Sequence, residues 1–393
     1  METASDPSRH GAGANGQNGR VTVRIGFLGA GLIAHYHALQ LHACDTPHEI
    51  VGVYDPDPDR SSAFSGWGGT PMTDPVEVIA ASDAVFVCTW TSEHLPLVRE
   101  VVSAGRAVFC EKPLSTDLAG AEELAAVVAA AHVVNMTGLV MRTAPPLLAL
   151  REMLRDPRSG RIMNMVFRDD QYIPTQGMYA SSWRADPSRA GSGTLLEHSI
   201  HDLDLIEWLV GPAVTVGAHT AHFHGIDGIE DSVSVLMRFA EGHTALLSSV
   251  WHDILSRPSQ RRIEVFCERA HYVVEGEATG PVTWQVDTSD PATPGHGTHG
   301  ALETDIGSSE GAALEAWLAA RGVDVASAEE DFLAAVTASM AGDERATVSP
   351  SIAEAIRPHV LADAIYRSAA GNGRAVDVTS GAVGLGTTAD VAG

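Results

Sequence analysis

Lysine is almost absent from this sequence. Of its 25 basic residues only Lys112 is a lysine, while acidic residues number 50, so the formal net charge is −25. A surface of that sign repels phosphate backbones and anionic membranes. We therefore expect neither nucleic acid nor a membrane as a partner.

Cysteines, signal segments and long apolar runs are also scarce. The four cysteines lie far apart, which fits neither a disulfide framework nor a zinc site and predicts buried thiols in a reducing compartment. Residues 1–20 lack the apolar core of a secretory signal and predict a disordered tail. The most apolar stretch, residues 124–141, is interrupted by His132 and Asn135, which predicts a helix end and a strand instead of a membrane span. We expect a cytoplasmic protein.

The amino-terminal third alternates short apolar strands with helices. The strands are predicted at 23–30, 49–55, 83–89 and 107–113, with helices at 32–43, 75–82 and 93–105. Such alternation indicates βαβ units, and hence an α/β fold with a doubly wound parallel sheet through about residue 145. The length of 393 residues leaves room for a second domain.

The first predicted strand leads into a glycine-rich turn of the form G-x-G-x-x-A, Gly29–Ala34. In this pattern the first glycine permits a tight turn and the second lets backbone amides approach a pyrophosphate. Asp55 ends the next strand, where a carboxylate binds ribose hydroxyls. The sequence thus predicts a dinucleotide site. Its candidate residues are Gly29, Gly31, Leu32, Ile33 and Asp55.

The same aspartate favours NAD over NADP. A carboxylate at Asp55 would repel the 2′-phosphate of NADP. Arg60 keeps NADP open as the less favoured cofactor, because an arginine five positions on could reach that phosphate. Its alternative role is a surface ion pair with Asp57 or Asp59.

Lys112 is the first candidate for a catalytic residue. An ammonium can release its proton in a suitable site, whereas a guanidinium stays charged, so a lysine kept where arginine is otherwise used is predicted to have a role that arginine cannot fill. Lys112 also ends a predicted strand, where open α/β sheets bind ligands. Glu111 and Pro113 are expected to fix its pose. Chance survival of one lysine is the alternative.

A second cluster of ionisable residues lies on a helix predicted after a glycine-rich entry. Glu197, His201 and Asp204 have the i, i+4 and i, i+3 spacing that places them on one helix face. A histidine flanked by carboxylates suits acid–base chemistry near neutral pH. An ordinary capped helix with polar residues in solvent is the alternative. His198 and Asp202 are expected on another face, exposed or at an interface.

The remaining histidines predict no metal site. His222 and His224 face the same way on a predicted strand, but no cysteine or acidic ligand stands beside them. Four histidines around the first helix share no ligand spacing, and composition accounts for them. They are His35, His37, His42 and His48.

Taken together, these residues resemble the Gfo/Idh/MocA family of oxidoreductases. Four segments carry the resemblance in the family's order. They are Gly29–Ala34; Thr89–His94, which resembles the T-P-x-x-x-H turn; Glu111–Pro113, which matches E-K-P; and Glu197–Asp204, which resembles D-x-x-x-H-x-x-D. The match is firm over residues 23–211 and continues to about 378 as a pattern of strands and helices.

The resemblance implies two domains and an oligomer. A Rossmann domain would cover residues 21–145, and an α+β domain with a large, mostly antiparallel open sheet would cover 146–378. This second domain would bind the substrate and build homodimers or homotetramers. Residues 287–309 are predicted to form a loop, and a last helix is predicted near 351–370. Residues 379–393 are predicted to be a frayed tail.

The activity implied by the resemblance is reversible hydride transfer between NAD and a secondary hydroxyl of a sugar, cyclitol or related polyol. Lys112 would hydrogen-bond the reacting oxygen, His201 would act with it as general acid or base, and Glu197 would orient the pair. Glu197 replaces the family's aspartate and is one methylene longer. Trp90 stands where the family usually has proline.

Further contacts are implied residue by residue. The cofactor contacts would include Thr89, Trp90, His94, Glu111, Lys112, Trp183 and Arg184. Arg142 and Tyr172 are candidates for substrate hydroxyls. Two other functions stay open: a redox-neutral glycoside-processing enzyme with tightly held NAD, and a dinucleotide sensor without chemistry.

Overall fold

The computed structural model describes residues 21–276, 280–289 and 304–378. The predicted tails, 1–20 and 379–393, lie outside these residues. Two sheets organise the chain, one of six strands and one of nine. The predicted fold class, a doubly wound parallel sheet followed by an α+β part, is confirmed.

The first sheet is parallel, with the strand order β3-β2-β1-β4-β5-β6. Its strands are β1 (Val23–Leu28), β2 (His48–Tyr54), β3 (Thr70–Pro71), β4 (Ala84–Val87), β5 (Ala107–Cys110) and β6 (Asn135–Thr137). The order reverses between β1 and β4, so a crevice opens at the carboxyl ends of these two strands, where open α/β sheets bind ligands.

Helices connect these strands. They are α1 (Leu32–Leu41), α2 (Pro58–Phe64), α3 (Pro75–Ala81), α4 (His94–Ser103) and α5 (Leu118–Ala131). Asp57, Asp74 and Asp117 each accept a backbone N–H in the first turn of the helix that follows, which fixes where α2, α3 and α5 begin. The apolar stretch 124–141 is the end of α5 followed by β6, as predicted. No helix in the described part of the chain is long and apolar enough to cross a membrane.

The second sheet has the order β14-β13-β12-β11-β7-β10-β9-β8-β15, and only β7 and β10 pair in parallel. Its strands are β7 (Ile162–Tyr172), β8 (Ala213–Ala221), β9 (Ser232–Phe239), β10 (Thr244–His252), β11 (Gln260–Cys267), β12 (Ala270–Glu275), β13 (Val282–Asp287), β14 (Thr304–Ser309) and β15 (Val376–Asp377). The predicted loop over 287–309 is wrong at its carboxyl end, because β14 pairs with β13 there.

Six further helices follow the first sheet in the described part of the chain. They are α6 (Pro145–Arg155), α7 (Pro187–Ala190), α8 (Ile200–Val210), α9 (Gly311–Ala319), α10 (Ala328–Met340) and α11 (Ile356–Ala370). Residues of α6, α8, α9 and α11 share one apolar core with alternate residues of the nine-stranded sheet. The sheet is therefore covered on one face, as its alternation of buried and exposed residues indicates.

Helix α10 departs from the predicted division of the chain. Its apolar residues, including Phe332 and Leu333, pack with Phe86 and Phe109 in the core of the six-stranded sheet. The ring of Phe332 meets those of Phe86 and Phe109 edge-on, with ring centroids 5.6 Å apart in both pairs. A segment expected in the second domain thus completes the core of the first.

Candidate active site

The glycine-rich turn between β1 and α1 is shaped for close approach by a ligand. Gly29 has a φ of +95°, and a Cβ there would lie 2.5 Å from the carbonyl oxygen of Cys88. A Cβ on Gly31 would meet nothing within 4 Å, and α1 begins without a side-chain cap. The first amides of α1 therefore face open space. This is the arrangement that holds a pyrophosphate.

The other predicted cofactor residues surround this turn. Asp55 accepts the amide hydrogens of Ala30 (2.8 Å) and Asp57 (2.9 Å), so its carboxylate is fixed at the carboxyl end of β2. Leu32 is exposed and Ile33 half-buried at the start of α1. Arg60 lies 3.5 Å from Asp57, in the surface ion pair named above as its alternative role.

The segment after β4 forms the opposite wall of the crevice. His94 is buried between the carbonyl oxygens of Pro113 and Thr89, at 2.8 and 3.3 Å, and burial lowers its pKa. The hydroxyl of Thr89 is buried and has no hydrogen-bond partner among the described residues. Trp90 lies under the guanidinium of Arg189, 4.7 Å from its Cζ. Through this contact α7, which lies beyond the first sheet in the chain, reaches the nucleotide-binding edge.

Lys112 follows β5 and reaches across to the second half of the chain. Its Nζ donates a hydrogen bond to the main-chain carbonyl of Glu197, 2.8 Å away. Glu197 stands just before α8, so the ammonium lies at the junction between the six-stranded sheet and the turn that opens this helix. The positive charge of Lys112 also contributes to lowering the pKa values of Glu197 and His201.

The turn that opens α8 differs from the continuous helix that the sequence predicts. Residues Thr194–His198 form a single π-helical turn, and α8 begins only at Ile200. The carboxylate of Glu230 accepts the amide hydrogens of Gly193 (2.8 Å) and Leu195 (2.9 Å) and fixes this turn. Wide turns of this kind are frequent at functional sites because they shift side chains out of helical phase.

The π turn places the side chain of Glu197 beside Arg184. Its carboxylate accepts a hydrogen bond from Nε of Arg184 at 2.8 Å. Arg184 also donates to Ser181 at 2.8 Å and stacks on Trp183, 4.5 Å from the ring centre. Burial opposes ionisation of Glu197, but the charges of Arg184 and Lys112 outweigh it, and the pKa of Glu197 is lowered. In this structure the Glu197 side chain orients Arg184, while its backbone holds Lys112.

His201 is half-buried at the start of α8. Burial, then the charges of Lys112 and Arg261, hold its pKa well below the usual range. Its Nδ1 is buried without a hydrogen-bond partner in the described residues. A neutral ring with an unused nitrogen beside an ammonium can accept a proton. Asp204, expected on the same face, instead bonds Arg142 at 2.8 and 2.5 Å.

His198 and Asp202, expected exposed or at an interface, differ in burial: His198 is half-buried, and the prediction is wrong for Asp202. Asp202 is fully buried and accepts Nε of Arg261 at 2.8 Å, while His198 lies 2.7 Å from the carboxylate of Asp169 on β7. Burial and the charge of Asp169 raise the pKa of Asp202 well above its usual range. Arg261 and His198 outweigh burial at Asp169 and lower its pKa. The cluster anchors the first turn of α8, and with it His201, to the nine-stranded sheet.

The two candidates for substrate hydroxyls have structural partners. Besides Asp204, the Arg142 guanidinium contacts Glu354 at 3.1 Å and Ser349 at 3.4 Å. Tyr172 is buried, and its hydroxyl accepts the amide hydrogen of Met178 at 3.3 Å.

Sequence reasoning missed several long-range pairs of this region. Arg261, Arg189 and Ser181 carry no motif. His37, attributed to composition, bonds Glu111. The described residues contain no group of three or more metal-ligating side chains suited to a metal ion. Cys88, Cys110 and Cys267 are buried thiols.

Comparison with known proteins agrees with this geometry. Residues 23–139 match an oxidoreductase family with an NAD-binding Rossmann fold, Gfo/Idh/MocA, and residues 147–273 match the C-terminal domain of the same family. Inositol 2-dehydrogenase of Rhizobium meliloti (strain 1021) is 30% identical over 329 residues, which cover 80% of this chain and 94% of that protein. The 1,5-anhydro-D-fructose reductase of Ensifer adhaerens is 28% identical over 225 residues, 56% of this chain and 66% of that protein.

Solved structures share the fold. Levoglucosan dehydrogenase in complex with NADH superposes with a TM-score of 0.75 at 20% identity, over 91% of this chain and 100% of that one. A putative myo-inositol dehydrogenase from Sinorhizobium meliloti 1021 gives a TM-score of 0.65 at 25% identity, with the same coverage of both chains.

The fold and the glycine-rich turn thus define an NAD-binding oxidoreductase built from a Rossmann sheet and a large open sheet. The chain belongs to the Gfo/Idh/MocA family. The predicted family, enzyme class and cofactor are thereby confirmed.

Proposed function

We propose that this enzyme transfers a hydride between NAD and a secondary hydroxyl, or the corresponding ketone, of a sugar, cyclitol or related polyol. The observation that supports this most strongly is the placement of Lys112. Its ammonium stands at the carboxyl edge of the Rossmann sheet and is held there by the turn that leads into His201.

Lys112 and His201 have different roles in proton transfer. Lys112 donates a hydrogen bond to the reacting oxygen and stabilises negative charge on it. His201 is neutral near pH 7 because its pKa is lowered, so it accepts the hydroxyl proton when the alcohol is oxidised. NAD, which the Gly29–Gly31 turn and Asp55 would hold, would supply the acceptor for the hydride. Arg184, whose Nε is held by Glu197, is assigned a contact with a substrate hydroxyl in this proposal.

The proposed substrate class draws on the relatives as well as on the site. Inositol 2-dehydrogenase and levoglucosan dehydrogenase are named for a cyclitol and an anhydrosugar. Polyols need several hydrogen-bonding side chains in a cleft, and Lys112, Arg184 and His201 supply charged and neutral ones at this junction.

Turnover assays with a substrate panel test the proposal. Purified protein would be mixed with NAD or NADP and with inositols, aldoses, amino sugars or glycosides, while NADH absorbance is followed. We expect NADH to form with one polyol class. Product formation from glycosides without net NADH, by protein that already contains NAD, would favour the redox-neutral alternative. An NAD-binding protein inactive with every compound would favour a sensor.

Replacing Asp55 with asparagine is expected to weaken the preference for NAD over NADP by roughly 10- to 100-fold, because the substitution removes a negative charge facing the 2′-phosphate position. Asp55 accepts the amide hydrogens of Ala30 and Asp57 with different oxygens, so asparagine, with one carbonyl oxygen, can keep one of these two bonds. The readout is the ratio of kcat/KM for the two cofactors. The control is Asp59→Asn, an exposed carboxylate of α2, which should leave the ratio unchanged. An unchanged ratio in the Asp55 variant would remove this residue from cofactor selection.

We further propose that the open face of the nine-stranded sheet pairs with a second copy of the chain. Large apolar side chains are exposed on that sheet at Met163, Leu236, Leu246 and Phe266. Leu236 and Leu246 are direct cross-strand neighbours, so they form one patch.

Leu246→Glu is expected to shift the protein from dimer or tetramer to monomer in analytical ultracentrifugation, because it buries a charge at the interface. The matched control is Val76→Glu. Val76 is an exposed apolar residue of α3, in the Rossmann part of the chain, and this variant should not change the molar mass of the assembly. A monomeric parent protein would refute the pairing.

A further inference from the structure

A buried cluster of three ionisable side chains lies behind the catalytic lysine, outside the substrate site. His37 comes from α1, Glu111 from the end of β5 and Glu329 from the first turn of α10. Their exposures are 0%, 4% and 2%. Three distant parts of the sequence thus place charged groups together inside the core of the nucleotide-binding sheet.

The geometry sets the protonation state of the histidine. Nε2 of His37 lies 2.8 Å from Oε1 of Glu111, and Nδ1 lies 2.6 Å from Oε1 of Glu329. An ionised carboxylate only accepts hydrogen bonds, so a ring between two of them donates from both nitrogens and is an imidazolium. Burial lowers the pKa of His37, but hydrogen bonds to the two carboxylates raise it more, to about 9.

The surroundings of the ring exclude water. The His37 ring meets the Phe109 ring edge-on with centroids 4.9 Å apart, and the Phe86 ring lies 5.5 Å away. In such an apolar environment each charged hydrogen bond is strong, and each unpaired charge is costly. The three groups therefore hold a single arrangement.

Glu111 connects this cluster to the main chain of Lys112. Its second oxygen, Oε2, accepts the amide hydrogen of Lys112 at 3.2 Å. The carboxylate also lies against Gly138, where a Cβ would come within 2.2 Å of Oε1. One carboxylate thus joins the His37 ring to the backbone from which the lysine side chain departs.

We propose that His37, bridging Glu111 and Glu329, is a positioning residue that sets the pose of Lys112 for hydride transfer. This inference rests on the proposed function. Helix α10 then acts on the active site without contacting it, because Glu329 holds one side of the His37 ring. The neighbouring Glu330 accepts a hydrogen bond from the hydroxyl of Thr46 at 2.6 Å and holds the helix in place. His37 touches neither substrate nor the reacting atoms.

Kinetics of His37→Gln and Glu329→Gln test the proposal. The amide of glutamine cannot place an N–H at both ring-nitrogen positions of His37, because its carbonyl oxygen stands at one of them and faces a carboxylate. Glu111 then loses its fixed orientation, and kcat is expected to fall about 10- to 100-fold with KM for NAD within about threefold. Glu329→Gln keeps the bond between His37 and Glu111 and should lower kcat about three- to tenfold. The double variant should be no slower than His37→Gln alone, because both changes act through one unit.

The matched control is His243→Gln. His243 is also buried, but its Nε2 bonds the carbonyl of Val210 beside the β9–β10 turn. This variant should keep the parental kcat per folded molecule. If His37→Gln and the control both lose only thermal stability and keep kcat, the positioning role is overturned.

A measurement without turnover complements the kinetics. Nitrogen-15 NMR of ring-labelled histidine should show both ring nitrogens of His37 protonated at neutral pH, with the signal assigned by its loss in His37→Gln. If that variant does not fold, assignment uses the shift of the signal in Glu329→Gln. A neutral ring at pH 7, or an unchanged kcat in Glu329→Gln, would overturn the inference.

Lys112→Met separates this inference from the proposed function. Loss of turnover in Lys112→Met with full activity in His37→Gln would refute the positioning role alone. Full activity in Lys112→Met would refute the proposed function itself.

Discussion

Replacing Lys112 with methionine should abolish turnover, with kcat reduced by at least about 10³-fold, while the dissociation constant for NAD stays within about threefold. Methionine keeps most of the apolar stem of lysine but cannot donate a hydrogen bond to the reacting oxygen. Groups that act on protons in the transition state contribute about 10² to 10⁴ in rate. The bond from Nζ to the Glu197 carbonyl is also lost. Steady-state rates and NAD titration by fluorescence measure the two effects.

Arg99→Met is the control for this experiment. Arg99 lies on the exposed side of α4, where it pairs with Glu123, so removing its charge should leave kcat unchanged. Lys112→Arg is a second variant for this experiment. It separates the effect of charge from that of shape, because a guanidinium keeps the positive charge but not the compact ammonium. Parental turnover in Lys112→Met would contradict the assignment, whereas a joint loss of NAD binding would indicate a structural role.

Arg261→Met is expected to lower the free energy of unfolding by about 3–5 kcal/mol at pH 7, because breaking a buried ion pair leaves an uncompensated charge. Arg261 is 5% exposed and bonds Asp202 and Asp169 at 2.8 and 3.2 Å. Urea unfolding followed by circular dichroism gives the value.

The neighbouring residue provides the control for Arg261. Arg262 is exposed on β11, where it pairs with Glu264 and Glu275, so Arg262→Met should cost less than about 1 kcal/mol. Equal losses in the two variants would show that the buried cluster contributes nothing beyond a surface pair.

The cost of Arg261→Met should also depend on pH. In the parent protein the pKa of Asp169 is lowered, so its contribution to stability is present above the unfolded value, about 3.9, and is lost as the pH falls below it. In the variant, burial without Arg261 raises that pKa, and the carboxyl takes up a proton on folding. The penalty should therefore shrink between pH 7 and pH 5. A penalty independent of pH would contradict this electrostatic origin.

Local patterns in the sequence predicted the fold and indicate the central residues of the candidate site. The glycine-rich turn, the strand before Lys112 and the helix around His201 are each encoded within about 20 residues, where periodicity and turn chemistry act. Helical spacing failed at Glu197, because one π turn moves its side chain to Arg184.

The side-chain pairs that the sequence did not predict join residues far apart in the chain. His37 and Glu329 stand 292 positions apart, and nothing local in either segment distinguishes their pairing from surface polarity. The helix position of Asp202, taken alone, predicts an exposed or interface residue and does not reveal that Arg261 of β11 binds its carboxylate. Partners of this kind follow from tertiary packing, which overrides the local preference of a polar residue for solvent.

Transfer of deuterium from a labelled polyol tests the central claim most directly. A cyclitol or sugar active in the panel would be labelled at the carbinol carbon and incubated with NAD, and the nicotinamide would be examined by NMR and mass spectrometry. We expect deuterium at C4 of the reduced cofactor in stoichiometric amount, and none with Lys112→Met. Product formation with the label retained in the sugar, and no deuterated cofactor released, would contradict it.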